Sequence, residues 1–176
     1  MKIRQVIKLV EAVHGEMVYQ GVRYYVSKMY HNKVVAQCVN KDIEEVSILE
    51  GAEEIADVAF LNCENLKCVK LPSSVDAIHG HAFKGCISLK EVILPDNLIY
   101  LGPSVFEGCK SLTSMQLPDK LRVIQARTFK SCNNLTNVLF GAELKAIEKE
   151  AFYDCPSLSN LHIPDTVEYI GKDAIV

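Results

Sequence analysis

The sequence predicts a solenoid of stacked 23-residue units, because phenylalanine, cysteine and leucine recur at that interval through five copies. The phenylalanines are Phe60, Phe83, Phe106, Phe129 and Phe152. A cysteine follows each after three residues, at Cys63, Cys86, Cys109, Cys132 and Cys155. A leucine follows each cysteine at the same distance, at Leu66, Leu89, Leu112, Leu135 and Leu158. Units of this length cannot bury a core alone, so neighbouring units are expected to stack.

The strand of each unit is predicted at the apolar positions that begin with this leucine. In "LKEVIL", Leu89, Val92 and Leu94 are the repeated apolar positions. Side chains alternate between the two faces of a strand. We therefore expect these three residues to point into the core and the strands to form a parallel sheet on the concave face. Pro95 then ends the strand, since proline has no amide hydrogen to donate.

The return path of each unit contains a segment such as "AFKGC", at residues 82–86. It is too short for a stable isolated helix, so a single helical turn or an irregular segment is expected on the convex face. The pattern departs from its usual form where Gly141 and Ala142 replace Pro-Asp and where Ile175 stands at a sixth phenylalanine position. A partial unit begins near Ile43, so residues 43–176 are assigned to about five units with partial ends.

The N-terminal segment, residues 1–42, does not follow the repeat and is predicted to form a cap. Residues 3–13 have apolar side chains at helical spacing, which favours a short amphipathic helix, although their β-branched content leaves a strand open. The segments "MVYQGVRYYVSK" and "KVVAQCVN" are rich in valine and tyrosine and are separated by "MYHN", which predicts a β-hairpin. Such a hairpin would cover the apolar end of the stack.

The C-terminal end shows no comparable cap, because the last unit stops within its pattern. Three explanations are open at this stage. The chain is truncated, it continues in the native protein, or two copies pair end to end through the last repeat.

Composition excludes several classes of partner. The 19 basic and 22 acidic residues give a net charge of −3, and no run of lysine or arginine could neutralise a row of phosphates, so nucleic acid is not expected. No window approaches the roughly 18 uninterrupted apolar residues that a membrane span needs. Lys8 and Glu11 also interrupt the N-terminal stretch "MKIRQVIKLVEAVHG", where a signal peptide needs an apolar centre. Neither membrane insertion nor a signal peptide is predicted.

The cysteines raise a catalytic hypothesis. His79, His81 and Cys86 are close in sequence, and such a pair can make an activated thiolate. The other four units have the same cysteine without a matching histidine, which favours a small buried residue. The spacing of stacked units would permit disulfides within this column. Equivalent side chains point alongside one another instead of toward one another, so reduced thiols are predicted. Cys38 and Cys68 lie outside the column, and Cys68 is expected to face solvent and to be more reactive.

The repeated unit resembles that of the BspA-like leucine-rich repeat family, which is best known from bacteria. The clearest matches are "AFKGCISLKEVILPDNL" at 82–98 and "AFYDCPSLSNLHIPDTVEYIGKDA" at 151–174. The resemblance implies a leucine-rich repeat solenoid with no catalytic residue in the repeats. It also implies a cell-surface or secreted protein that acts in adhesion or interaction.

The outward positions of the predicted strands are the candidate binding surface, since leucine-rich repeats usually bind through the concave face. They mix charged, amide and aliphatic groups, without a metal cage, a phosphate cradle or an aromatic platform. One column is Glu45, Cys68, Glu91, Ser114, Asn137 and Asn160. The other is Ser47, Lys70, Ile93, Gln116, Leu139 and His162. A protein or peptide partner is predicted by elimination, with no cofactor or metal, and a merely solvated sheet is the alternative.

Three functional hypotheses follow. The leading one is a non-enzymatic module for surface adhesion or partner binding through the concave face. The second is an intracellular scaffold or regulatory domain, favoured by the missing signal peptide and the reduced cysteines. The third is a thiol-dependent enzyme using Cys86 or Cys68.

Overall fold

The computed structural model describes residues 16–29, 33–159 and 161–175, and within these ranges it contains fourteen β-strands and no helix. The helix considered for residues 3–13 lies outside the described residues. The strands are β1 Glu16–Tyr19, β2 Val22–Ser27, β3 Lys33–Cys38, β4 Glu45–Ser47, β5 Glu54–Ile55, β6 Cys68–Lys70, β7 Ala77–Ile78, β8 Glu91–Ile93, β9 Tyr100–Leu101, β10 Ser114–Gln116, β11 Val123–Ile124, β12 Asn137–Leu139, β13 Ala146–Ile147 and β14 Tyr169–Ile170.

The first three strands form an antiparallel meander at the N-terminal end of the solenoid. Strands β2 and β3 make the predicted hairpin, which is confirmed. The first predicted segment, "MVYQGVRYYVSK", contains both β1 and β2 instead of a single strand. Gln20 and Gly21 adopt left-handed φ angles of 47° and 77° and turn the chain back between them. Strand β3 then pairs in parallel with β5. The cap therefore extends the sheet of the solenoid instead of merely lying across its end.

Each complete unit contributes one strand to each of two parallel ladders. The front ladder consists of β4, β6, β8, β10 and β12, which lie where the sequence predicted strands. The sixth front strand, expected around His162, is not formed, since residues 161–163 adopt no strand. The side ladder consists of β5, β7, β9, β11, β13 and β14. Partners in both ladders occupy the same position of successive units, as in the pairs Val46↔Val69 and Ile55↔Ile78. The parallel stacking of units is thus confirmed.

The third side of each unit is a series of turns with no helix among the described residues, which agrees with the irregular segment that the sequence left open as an alternative to a helical turn. In the segment 81–85, His81 and Gly85 have left-handed φ angles of 58° and 72°. The amides of His81, Phe83 and Gly85 donate to carbonyls of the next unit, at 2.8–2.9 Å. Equivalent bonds join the other units, and we call this set the turn ladder. Because these amides donate their hydrogen bonds to the next unit, they cannot form the hydrogen bonds of a helix within their own unit.

The core consists of residues in the recurring apolar positions. The five phenylalanines are buried and stack in one column, with neighbouring ring centroids 5.1–5.6 Å apart and ring planes within 15° of parallel. The cysteines and most of the leucines of the repeat surround them. The predicted core is therefore observed, and its column of aromatic rings is continuous from Phe60 to Phe152.

The front and side ladders are both interrupted at one interface between units. Among the described strands, β8 is not hydrogen-bonded to β10, and β9 is not hydrogen-bonded to β11. The turn ladder and the stack of Phe83 on Phe106 continue across this interface. We call this interface the ladder break, and it divides the front ladder between its third and fourth strands.

Candidate functional site

The outward residues of the front ladder lie where the sequence predicted them. The central residue of each strand is buried, as Val92 is, and its two neighbours, such as Glu91 and Ile93, are exposed. Cys68 is half-buried instead of exposed, and Asn160 lies outside the described residues. The exposed candidates are Glu45, Ser47, Lys70, Glu91, Ile93, Ser114, Gln116, Asn137, Leu139 and His162.

Strand register brings these side chains into two columns. Glu45 is level with Cys68, which is level with Glu91. Beyond the ladder break, Ser114 is level with Asn137 and Gln116 with Leu139. No described strand pair fixes the register between Glu91 and Ser114. The candidate surface therefore has two ordered halves that meet at the ladder break.

Two aliphatic side chains stand out on this polar surface. Ile93 is 66% exposed and Leu139 is 55% exposed. Ile93 lines a cleft of about 410 Å³ at the ladder break, whose walls also include Lys90, Glu91, Asp96, Ser114 and Gln116. Leu139 lines a smaller depression of about 220 Å³, together with Asn137, Phe140, His162 and Pro164. Ile93 thus adjoins a mainly polar recess and Leu139 a mainly apolar one, and recesses of this kind suit the side chains of a peptide.

The thiol-enzyme hypothesis finds no catalytic arrangement at Cys86. Its side chain is fully buried and its Sγ donates to the carbonyl of Phe60 at 3.1 Å. Burial raises the pKa of Cys86 to about 12, so the thiolate is disfavoured. His79 places Nε2 2.7 Å from Oε2 of Glu54. Cys86 and His79 therefore each contact a partner other than the other.

Three other column cysteines have a role that the sequence did not reveal. Each thiol donates to the carbonyl of the phenylalanine 26 residues earlier, over 3.0–3.2 Å. The donors are Cys109, Cys132 and Cys155. Burial raises the pKa of all three thiols. Because cysteine recurs in every unit, the sequence could have indicated that this position requires a hydrogen-bond donor as well as a small side chain.

A second feature that the sequence did not reveal is a charged cluster on the side ladder. Nζ of Lys33 lies 2.6 Å from Oδ2 of Asp76 and 3.1 Å from Oε1 of the buried Glu54, which also contacts His79. Burial alone would lower the pKa of Lys33, but the hydrogen bonds that its ammonium donates to Asp76 and Glu54 outweigh this effect and raise the pKa. The cluster joins cap strand β3 to the first units. Its members are far apart in sequence, so no local pattern marks it.

The described residues contain neither a metal-binding cluster nor a membrane-spanning helix. Within residues 16–29, 33–159 and 161–175, no group of three His, Cys, Asp or Glu side chains could hold a metal ion. No described segment forms a helix of the length and apolarity needed to cross a bilayer.

A family model for the BspA type leucine rich repeat region matches residues 38–175 in six copies. A leucine-rich repeat protein from T. pallidum is 26% identical with a TM-score of 0.66, and the match covers 89% of this chain and 86% of that one. A leucine rich cell surface protein from Faecalibacterium prausnitzii is 22% identical with a TM-score of 0.65, covering 90% of this chain.

A leucine-rich repeat protein from Eubacterium ventriosum is also 22% identical, with a TM-score of 0.60, and covers 86% of this chain. The matched regions span 51% of the Faecalibacterium protein and 48% of the Eubacterium protein. No curated protein matches the sequence significantly. Because the family model covers most of the chain, and because the repeated units form parallel ladders around one core, the chain belongs to the family of BspA type leucine-rich repeat proteins.

Proposed function

We propose that this chain is a non-enzymatic module that binds a protein through an extended peptide segment on the front ladder. Leucine-rich repeat proteins are typically protein-interaction modules, because stacked repeats present a continuous binding surface. The observation that supports this site is the pair of exposed residues Ile93 and Leu139, each beside a recess in the surface. Apolar anchors surrounded by polar groups are the usual organisation of a binding surface.

The spacing of the two anchors defines the kind of peptide. Ile93 and Leu139 occupy the same outward column, two units apart. Hydrogen-bonded strands are about 4.8 Å apart, and one of the two steps between the anchors crosses the ladder break, so the anchors are separated by at least about 10 Å along the solenoid. A polyproline II peptide presents residues i and i+3 on one side, about 9 Å apart. We therefore expect a peptide in this conformation with apolar residues three positions apart.

Adhesion to a host or to another cell is the biological role we propose for this binding. It is supported by family membership alone, since surface adhesion is what the resemblance implies. End-to-end association of two copies remains a separate prediction, which sedimentation at increasing protein concentration would test.

An intracellular scaffold is the second candidate. It is favoured by the column thiols, because each buried cysteine donates a hydrogen bond that oxidation would remove. Thiols stay reduced in the cytosol. Localisation of the full-length gene product in its own cells would separate the two roles.

The experiment for the binding site is a selection from a random peptide library on the purified protein. We expect enriched peptides with apolar residues at i and i+3. Replacing Ile93→Ser or Leu139→Ser should weaken their binding about tenfold each, as expected for the loss of a buried aliphatic contact. The matched control is Ile99→Ser, because Ile99 is 59% exposed but lies next to the side ladder. Equal binding by all three variants would contradict the proposed site.

A further inference from the structure

Two cysteines at the junction of the cap and the first unit lie against each other. Sγ of Cys63 is 3.7 Å from Sγ of Cys38, and both residues are buried. Cys38 is the last residue of β3, and Cys63 is the first member of the cysteine column. A bond between them would therefore connect the cap covalently to the solenoid.

Cys63 differs from the other column cysteines in its hydrogen-bond partner. The thiol of each later member donates to a phenylalanine carbonyl 26 residues earlier. The residue at the corresponding position before Cys63 is Gln37, which lies in β3 and pairs with Arg23 of the antiparallel meander. The cap thus interrupts the pattern, and the thiol of Cys63 points to the sulfur of Cys38 instead. This is the one sulfur–sulfur hydrogen bond among the described residues.

The surroundings give the two sulfurs different reactivity. Donation from the thiol of Cys63 lowers the pKa of Cys38 against the opposing effect of burial, and the Lys41 ammonium acts in the same direction. The same donation and burial raise the pKa of Cys63. The Nζ of Lys41 donates a 2.7 Å hydrogen bond to the carbonyl of Leu61, which positions this ammonium. Cys38 is therefore the more readily ionised of the two thiols, and in its protonated form it donates to the carbonyl of Asn40 at 3.0 Å. Once ionised, Cys38 would be the attacking sulfur and Cys63 the resolving one.

We propose that Cys38 and Cys63 form an oxidation site at which a small hydroperoxide converts the two thiols into a disulfide between cap and solenoid. The Cys38 thiolate attacks one peroxide oxygen, the O–O bond breaks, and with hydrogen peroxide the departing hydroxide takes a proton to become water. Cys38 is then a sulfenic acid. The sulfur of Cys63 attacks the Cys38 sulfur and expels the hydroxyl group, which leaves as water with the Cys63 proton. The thiols lose two electrons and the peroxide gains them.

The disulfide would hold the cap in place. Strand β3 carries the antiparallel meander on one side and pairs with β5 on the other. A covalent link between residues 38 and 63 restricts the unfolded chain and prevents β3 from separating from the first unit. Oxidation would then increase the stability of the cap without any change to the front ladder.

The test is to treat the folded protein with hydrogen peroxide and to map disulfides by mass spectrometry of an unreduced tryptic digest. Lys33, Lys41 and Lys67 delimit the peptides 34–41 and 42–67, which contain Cys38 and Cys63 as their only cysteines. We expect these two peptides to be linked in the main product. The melting temperature should rise on oxidation and return to its starting value with dithiothreitol.

Three variants complete the experiment. Cys38→Ser and Cys63→Ala should each abolish both the linked peptides and the rise in melting temperature, while Cys68→Ser should behave as the wild type. Links among other cysteines, oxidation without a 38–63 link, or an unchanged rise in Cys38→Ser would each overturn the proposal. The peptide map of the wild type decides the question even if a variant fails to fold.

Discussion

At the scale of single residues, the cysteine column illustrates how a hydrogen bond and a packing requirement combine. The thiol of Cys109 is fully buried and donates to the carbonyl of Phe83 at 3.2 Å. The same carbonyl also accepts the amide of Cys86, within its own unit. Each thiol therefore adds a contact between neighbouring units as well as filling a small space in the core.

We predict that Cys109→Ala lowers the free energy of unfolding by about 1–2 kcal/mol, because it removes both the thiol donor and buried volume. Urea denaturation of the reduced protein would measure the change. Cys68→Ala is the control, because Cys68 lies on the half-buried outer side of the front ladder and should change stability by less than about 0.5 kcal/mol. Equal losses in both variants would show that position in the column is unimportant.

Val58 is a single residue in an unfavourable backbone conformation. Its φ angle is 53°, in the left-handed region that a β-branched side chain disfavours, and its side chain is 42% exposed. We predict that Val58→Gly raises the free energy of unfolding by about 0.5–1 kcal/mol, since relief of strain exceeds the entropy that glycine adds to the unfolded chain.

Thermal or urea denaturation would measure this gain. The control is Val39→Gly, because Val39 is 45% exposed and has no positive φ angle. It should lower stability by about 0.5–1 kcal/mol. A loss of stability in both variants would mean that the conformation of Val58 carries little strain.

The residue patterns predict the core well and the backbone of the turns poorly. Phenylalanine, cysteine and leucine are chosen by packing, so their recurrence reveals their buried positions. Left-handed φ angles also recur in the turns, but glycine occupies these positions only at Gly85 and Gly108. The same turn positions elsewhere are occupied by Val58, Asn62, His81, Ser104, Arg127, Ser131, Glu150, Asp154 and Asp173. Such varied residues hide a shared backbone conformation that the hydrogen bonds of the turn ladder impose.

At the scale of strands and turns, Gly141 shows why a departure from the repeat can be required. Four units place proline at this position, and Gly141 replaces it. A Cβ atom on Gly141 would lie 2.2 Å from the carbonyl oxygen of Pro118. The two backbone segments are therefore in closer contact than any side chain permits, and both are parts of the turns that end the front strands.

We predict that Gly141→Ala lowers the free energy of unfolding by about 1–3 kcal/mol, because the backbone must separate to admit the methyl group. Gly141→Pro, which restores the usual repeat residue, should also destabilise. Chemical denaturation would measure both. The control is Gly80→Ala, where a Cβ would lie 3.2 Å from a side-chain oxygen of Asp57 and 3.5 Å from Pro103. Stabilisation by Gly141→Pro would contradict the close approach.

The two ladders differ in how far the sequence predicts them. Front strands follow from the alternation around Val92 and its equivalents, because one side faces the core and the other faces outward. Side strands are only two residues long, as in Ala77–Ile78, and too short to show alternation. The charged cluster at Glu54 was missed for the same reason, because it is assembled by that unrecognised ladder. Of the candidate site, the sequence predicted the outward columns and not the recesses beside Ile93 and Leu139.

At the scale of the whole molecule, the units are stacked by four sets of contacts that are not equally continuous. The phenylalanine stack and the turn ladder run through the described units, while the front and side ladders stop at the ladder break. Stability in a repeat protein is the sum of units and of the interfaces between neighbours. The interface at the ladder break has fewer backbone bonds than the others, so it should open first.

Hydrogen exchange would detect this difference at matched amides. The Thr136 amide donates to the carbonyl of Thr113 at 2.9 Å, whereas no described bond joins the Thr113 amide to the carbonyl of Lys90. In the side ladder, the Lys145 amide donates to the carbonyl of Arg122 at 2.8 Å, and the Arg122 amide has no equivalent bond to Ile99. We predict that Thr113 and Arg122 exchange at least about tenfold faster than Thr136 and Lys145, since an unpaired amide is less protected.

The turn ladder provides the internal control, because it crosses the same interface without interruption. The amides of His81, Phe83 and Gly85 should be as strongly protected as their equivalents in the next unit, Ser104, Phe106 and Gly108. Uniform protection of all the ladder amides would contradict the ladder break. Selective exposure of Thr113 and Arg122 would mean that the units hinge about their turns at this interface. The cleft beside Ile93 would then widen on the open side, where a bound peptide would lie.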